Sequence, residues 1–148
     1  MSTLGRDLPL SLAAPDTAIR IREVLDRAGY SETHILERLG LARLPPFRLR
    51  GDALPLYRWR TREGTALDSL VRLFVLQQPI PLEAARHALA PMDPEEWVKV
   101  GLLRPGAAEV GAAFELCCYQ GLVAVKIKEV GASMVWALVK LAVLYVAR

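Results

Sequence analysis

Apolar residues recur at helical spacing through most of the chain up to residue 103, and in strand-like runs beyond residue 110. Asp16 is placed to cap a helix through Ala28, with Ile19, Val24, Leu25 and Ala28 at helical spacing, and Gly29 ends it. Ser31 caps a second helix through Leu39, closed by Gly40, which turns Ile35, Leu36 and Leu39 inward. These two predict a helical hairpin. Pro45, Pro46, Gly51 and Pro55 mark residues 41–55 as a connection. Thr65 then opens a helix over residues 66–77 with an apolar stripe of Leu67, Leu70, Val71, Phe74 and Val75, stopped by Gln77-Gln78-Pro79. Pro81 suits the first turn of a helix over 81–89. Pro91 breaks that helix, and Asp93-Pro94-Glu95-Glu96 opens another over 94–101, with a cap, a proline and two acids at its positive end.

Trp97, Val100 and Leu103 follow at steps of three, which makes Trp97 the anchor of that helix in the core. After Leu102-Leu103-Arg104 and a Pro-Gly turn, the apolar runs 110–119 and 122–128 predict a hairpin over 110–128 with Gln120-Gly121 at its tip. The expected fold is mainly α with a small β-hairpin or sheet (α+β). Three short helices followed by a hairpin is the winged-helix order, so the domain is expected to be winged-helix-like with the N-terminal helical hairpin as an extension. Residues 1–15, with breakers Pro9 and Pro15, read as a flexible leader, 16–128 as the domain, and 129–148 as an apolar C-terminal segment of separate character.

Residues 56–62 fit two periods. As a strand, they place Arg58, Arg60 and Arg62 on one face and Tyr57, Trp59 and Thr61 on the other. As a helix, they spread the arginines around the cylinder. The pattern leaves both open.

Charge adds a focus that periodicity does not. Residues 38–62 hold seven arginines and a single acid, Asp52, while the formal charge of all 148 residues is only +3, so the remainder of the chain is net acidic. Such a segment favours a polyanionic partner; a solvated arginine-rich surface is the plainer account. The expected docking residues are Arg48, Arg50, Tyr57, Arg58, Trp59, Arg60 and Arg62, with the two aromatics in support. A hydrophobic share of 53% is enough for a real core and argues against global disorder.

Catalytic chemistry finds little purchase. Glu95-Glu96 sits in a helical first turn, where complementing the dipole explains both acids without acid–base work. His34 and His87 fall on separate helices with no nucleophile at a telling spacing, and they show no ligand spacing with Cys117-Cys118, so no metal is expected. Adjacent cysteines on a strand point to opposite faces, which argues against a disulfide and suits two thiols in a reducing cytoplasm. Residues 131–147 are apolar except for Ser133 and Lys140. They fall short of the roughly 20 residues a membrane span needs and would put Lys140 near its centre, so a buried terminal element is expected.

Two runs resemble a known family. Leu67-Asp68-Ser69-Leu70-Val71-Arg72-Leu73-Phe74-Val75-Leu76 with Gln78-Pro79-Ile80-Pro81, and Trp97-Val98-Lys99-Val100-Gly101-Leu102-Leu103-Arg104 with Glu109-Val110 and Cys118-Tyr119-Gln120-Gly121-Leu122, look like the N-terminal region of bacterial class I methyltransferases. The resemblance covers about residues 16–125 and implies a winged-helix-like domain preceding a Rossmann-type domain that uses S-adenosylmethionine. That catalytic half would carry a glycine-rich loop after a strand and an Asn-Pro-Pro-Tyr-like motif. The chain contains no Asn, and Gly101 and Gly106 follow a helix and precede the wing. The cofactor is therefore expected only in an intact enzyme, and this chain alone is expected to be inactive.

Basic residues before Lys99 are all arginine, whereas Lys126, Lys128 and Lys140 dominate after Arg104, which suggests a truncated or frameshifted enzyme. The function these readings imply is a non-catalytic, cytoplasmic substrate-recognition module that docks RNA or a ribosome-associated protein. The alternative is a stand-alone winged-helix domain, binding nucleic acid or protein, that dimerises through its apolar C-terminal segment.

Overall fold

The computed structural model of the chain describes residues 15–43, 52–119 and 122–126. The expected leader, the hairpin tip at Gln120-Gly121, the C-terminal segment and both Arg48 and Arg50 lie outside these residues. The fold is mainly α with small antiparallel sheets.

Helix α1 (Pro15–Ala28) buries Ile21, Val24 and Leu25. The buried stripe therefore runs 21, 24, 25, 28, and Ile19, expected on that face, is 37% exposed because two residues before Ile21 is nearly the opposite side of the cylinder. Gly29, with φ 78, turns the chain into α2 (Glu32–Leu39). There the Ser31 side chain accepts from the His34 amide at 3.3 Å, and Gly40 closes the helix at φ 68. Ile35 and Leu39 are buried and Leu36 is half-buried. The apolar residues of this pair belong to the same core cluster as the rest of the described chain.

Helix α3 (Leu54–Arg60) resolves the two periods of residues 56–62 in favour of the helix. Helix α4 (Ala66–Leu70) starts from a reciprocal cap between Thr65 and Asp68 and runs into a π-helical turn, Val71–Val75. Within that turn the Leu76 amide donates to the Val71 carbonyl at 2.9 Å, and Leu73 and Leu76, outside the expected stripe, join Leu70, Val71 and Phe74 in the core. The turn ends at Gln77, which has φ 55; its side-chain amide donates to the Phe74 carbonyl at 3.2 Å and across to the Phe114 carbonyl at 3.2 Å. A glutamine thus replaces the usual glycine stop, and its own side chain satisfies a carbonyl that the helix end leaves open.

Strand β1 (Ile80–Pro81) leads into α5 (Leu82–Leu89) and α6 (Pro94–Val100), and β2 (Leu103–Arg104) and β3 (Glu109–Ala112) complete a sheet of order β1-β3-β2. Ile80 pairs with Val110 and Leu103 with Ala112, both antiparallel. Trp97 of α6 is fully buried, as expected, with its ring 5.8 Å from that of Phe74.

The expected single hairpin over 110–128 is two hairpins. The run breaks after Ala112, so β2 and β3 form one around Pro105-Gly106, while β4 (Glu115–Tyr119) and β5 (Leu122–Lys126) form a separate sheet. Gly106 permits the first turn, because a Cβ there would collide with the Glu109 carbonyl. The second hairpin is fastened to the α1–α2 turn: the Tyr30 hydroxyl donates to the Leu116 carbonyl at 2.5 Å, and Leu116 is buried.

Candidate functional site

Helix α3 divides its residues by the helical period. Tyr57 and Thr61 are buried, and Ala53, Leu54 and Arg60 are half-buried against the core. The opposite face presents Leu56, 45% exposed, and Trp59, 59% exposed, one turn apart, with Arg58 and Arg62 exposed beside them. Two large apolar side chains face outward on a helix of only seven residues. A strand period would have hidden the indole together with Tyr57; the helix separates them.

Several arginines that the sequence presents as one basic run serve as joints. Arg38 forms a two-pronged ion pair with the fully buried Asp68, and its guanidinium also reaches Glu63 at 3.3 Å. The Asp68 hydrogen bond chiefly holds the Arg38 pKa above its already high ordinary value. Arg60 donates to the carbonyl of Leu39 at the C-terminus of α2, through the gap left by Gly40. Arg72 donates to the Arg58 carbonyl at 2.6 Å and to the Thr61 hydroxyl at 2.8 Å, while that hydroxyl donates to the Tyr57 carbonyl at 2.9 Å. The guanidinium groups of Arg60 and Arg72 meet the electron-rich ends of α2 and α3, where carbonyls lack intrahelical partners.

Arg62 behaves differently. It donates to the Trp59 carbonyl at 3.0 Å, and its guanidinium carbon lies 3.6 Å from the centroid of the Trp59 ring. The cation thus lies over the indole ring. Arg58 pairs with no acid among the described residues. Of the seven expected docking residues, Arg58, Trp59 and Arg62 share an exposed patch. Tyr57 is in the core, and Arg60 is engaged with α2. Leu56 was missed as a patch member; its signal is the i, i+3 step to Trp59, visible only once the segment is taken as a helix.

Helix α6, third in the winged order, offers a poorer surface. Its Glu96 accepts from Arg20 of α1 at 2.7 and 3.2 Å and from the Asp93 amide at 3.0 Å. Arg20 first, and the Asp93 amide second, hold the Glu96 carboxyl below its ordinary pKa. The other exposed charges of that helix, Glu95 and Lys99, give no net attraction for phosphate.

Among the described residues no three His, Cys, Asp or Glu side chains come together as a metal site, and no helix is long and apolar enough to cross a membrane. His34 lies with Nδ1 3.0 Å from the Gly29 carbonyl, and Cys118 is buried. Gly101 closes α6 at φ 92, and Gly106 turns between two strands. Neither follows a strand into a helix, so these residues do not fit S-adenosylmethionine.

No curated protein and no solved structure matches the chain. A family match spans residues 27–113, from the end of α1 through β3 and including all of α3; the chain therefore belongs to the DUF7059 family, a domain of unknown function.

Proposed function

We propose that this chain is a non-catalytic substrate-recognition module of a cytoplasmic class I methyltransferase, and that it docks RNA through the outward face of α3. The observation that carries the reading is the exposed group of Arg58, Trp59 and Arg62, which combines positive charge with an aromatic ring. The succession of α4, β1, α5, α6, β2 and β3 with sheet order β1-β3-β2 supports a winged-helix-like domain. The two runs that resemble methyltransferases fall on α4 with its π-helical turn and on α6 with β2, inside that unit. Cofactor and chemistry would belong to a catalytic domain. With α6 acidic at its start and tied to α1, base reading through that helix in a duplex groove is disfavoured. Phosphate contacts from α3 would instead give salt-dependent affinity.

The test is retention of the full chain on immobilised ribosomal RNA at low salt, comparing wild type with Arg58→Glu/Arg62→Glu. The double reversal is expected to abolish retention while the circular dichroism spectrum stays unchanged. Arg60 is left in place because it closes α2. Equal retention by both proteins would overturn the assignment.

A further inference from the structure

We propose that Trp59 and Arg62 form a stacking seat for an unpaired nucleobase, so that the RNA recognised is single-stranded where it meets α3. The inference rests on the RNA reading above and adds a class of structure within it.

The argument begins with an oddity of placement. An indole 59% exposed on a short helix gains little from the hydrophobic effect, yet Arg62, three residues on, is arranged over it. Arg62 does not sweep freely from the surface. Its Nη1 is fastened to the Trp59 carbonyl at 3.0 Å while its guanidinium carbon sits 3.6 Å from the ring centroid. That separation is about a van der Waals contact between carbon atoms. The guanidinium therefore lies over the ring at contact distance, and the exposure of the indole leaves surface on which a planar group can stack. Aromatic rings and arginine planes are the groups on which proteins stack splayed bases.

Charge selects the occupant. A protein partner for the apolar pair Leu56 and Trp59 is the competing case. However, the exposed charges beside the indole are Arg58 and Arg62, and the neighbouring acid Glu63 is engaged by Arg38. Arg58, without an acidic partner, is free to meet a phosphate of the same strand. A duplex does not satisfy the seat, because its bases already cover one another's faces. Stacking of this kind tolerates any base, so affinity should depend on strandedness and salt more than on sequence.

The experiment titrates the full chain with a single-stranded oligoadenylate roughly a dozen nucleotides long and with the matching duplex. Tryptophan emission and anisotropy are followed for wild type, Trp59→Ala, Trp59→Phe and Arg58→Glu/Arg62→Glu. The expected result is quenching on single-strand binding, affinity weakened about tenfold in Trp59→Ala and largely kept in Trp59→Phe, and duplex binding weak and insensitive to either. If Trp59→Ala binds as wild type while the double reversal does not, the stacking seat is overturned and RNA docking survives. Equal affinity for strand and duplex has the same meaning. If wild type binds neither, both readings fall, and a protein partner for Leu56 and Trp59 takes their place.

Discussion

Arg38 and Asp68 meet across 30 residues of sequence, Nε to Oδ1 at 2.7 Å and Nη2 to Oδ2 at 2.8 Å. This pair fastens α2 to the start of α4. The same carboxylate also accepts from the Thr65 amide at 3.4 Å, so one acid begins a helix and binds its neighbour.

Removing the cation while leaving the acid is expected to be the most damaging single change at this joint. Asp68 is fully buried and would keep a carboxylate with no counter-charge of comparable strength. Arg38→Ala should lower stability by about 3 kcal/mol in urea unfolding. The double change Arg38→Met/Asp68→Leu should recover part of that loss, although it also removes the cap on Thr65. A loss under about 0.5 kcal/mol for Arg38→Ala would place this pair with surface ion pairs that contribute little.

Gly40 and Arg60 should behave as a coupled pair. Gly40→Ala adds a Cβ at φ 68, where an L-residue costs roughly 1–2 kcal/mol, and drives it into the Arg60 guanidinium. The same substitution made in Arg60→Ala should cost less, because the obstacle has gone and only backbone strain remains. Strict additivity in the double-mutant cycle would show that the guanidinium does not occupy that gap.

Glu96 gives a pH dependence of defined sign. Arg20 chiefly, and the Asp93 amide next, hold its folded pKa below the ordinary glutamate value of about 4. The unfolded chain therefore takes up this proton first as pH falls. Stability from the carboxylate is full above the ordinary value and is lost as pH drops through it toward the lowered folded value. Wild type should thus lose its advantage over Glu96→Gln in urea melts compared at neutral pH and at about pH 3. An advantage that does not shrink in acid would contradict the ion pair with Arg20.

The elements that could be read from the chain are those whose signals are local. Ser31, Thr65 and Asp93 stand before α2, α4 and α6, and Gly29, Gly40 and Gly101 close α1, α2 and α6. Helix α3 was ambiguous because Leu-Tyr-Arg-Trp-Arg satisfies a two-residue and a helical period equally over so short a run. What settles it lies elsewhere in the sequence: the Leu39 carbonyl that takes Arg60 and the Arg72 side chain that closes α3. The sheet was misread for a related reason. Strands of two residues, such as β1 and β2, show no alternation, so the longer run beyond residue 110 drew the hairpin to itself. At the docking face, periodicity found the residue types but not their division between Arg58, Trp59 and Arg62 outside and Tyr57 and Arg60 within.

Arg38, Arg60 and Arg72 each present more than a charge. They contribute planar forks whose several N–H groups span a carboxylate or reach a helix end. An ammonium carries the same unit of charge on a single centre and cannot bridge two acceptors set apart in this way. The all-arginine character of the chain before Lys99 is therefore partly a matter of carpentry. A descendant that exchanged these three for lysine would look unchanged in net charge and pI, while the corners where α2, α3 and α4 are joined came loose.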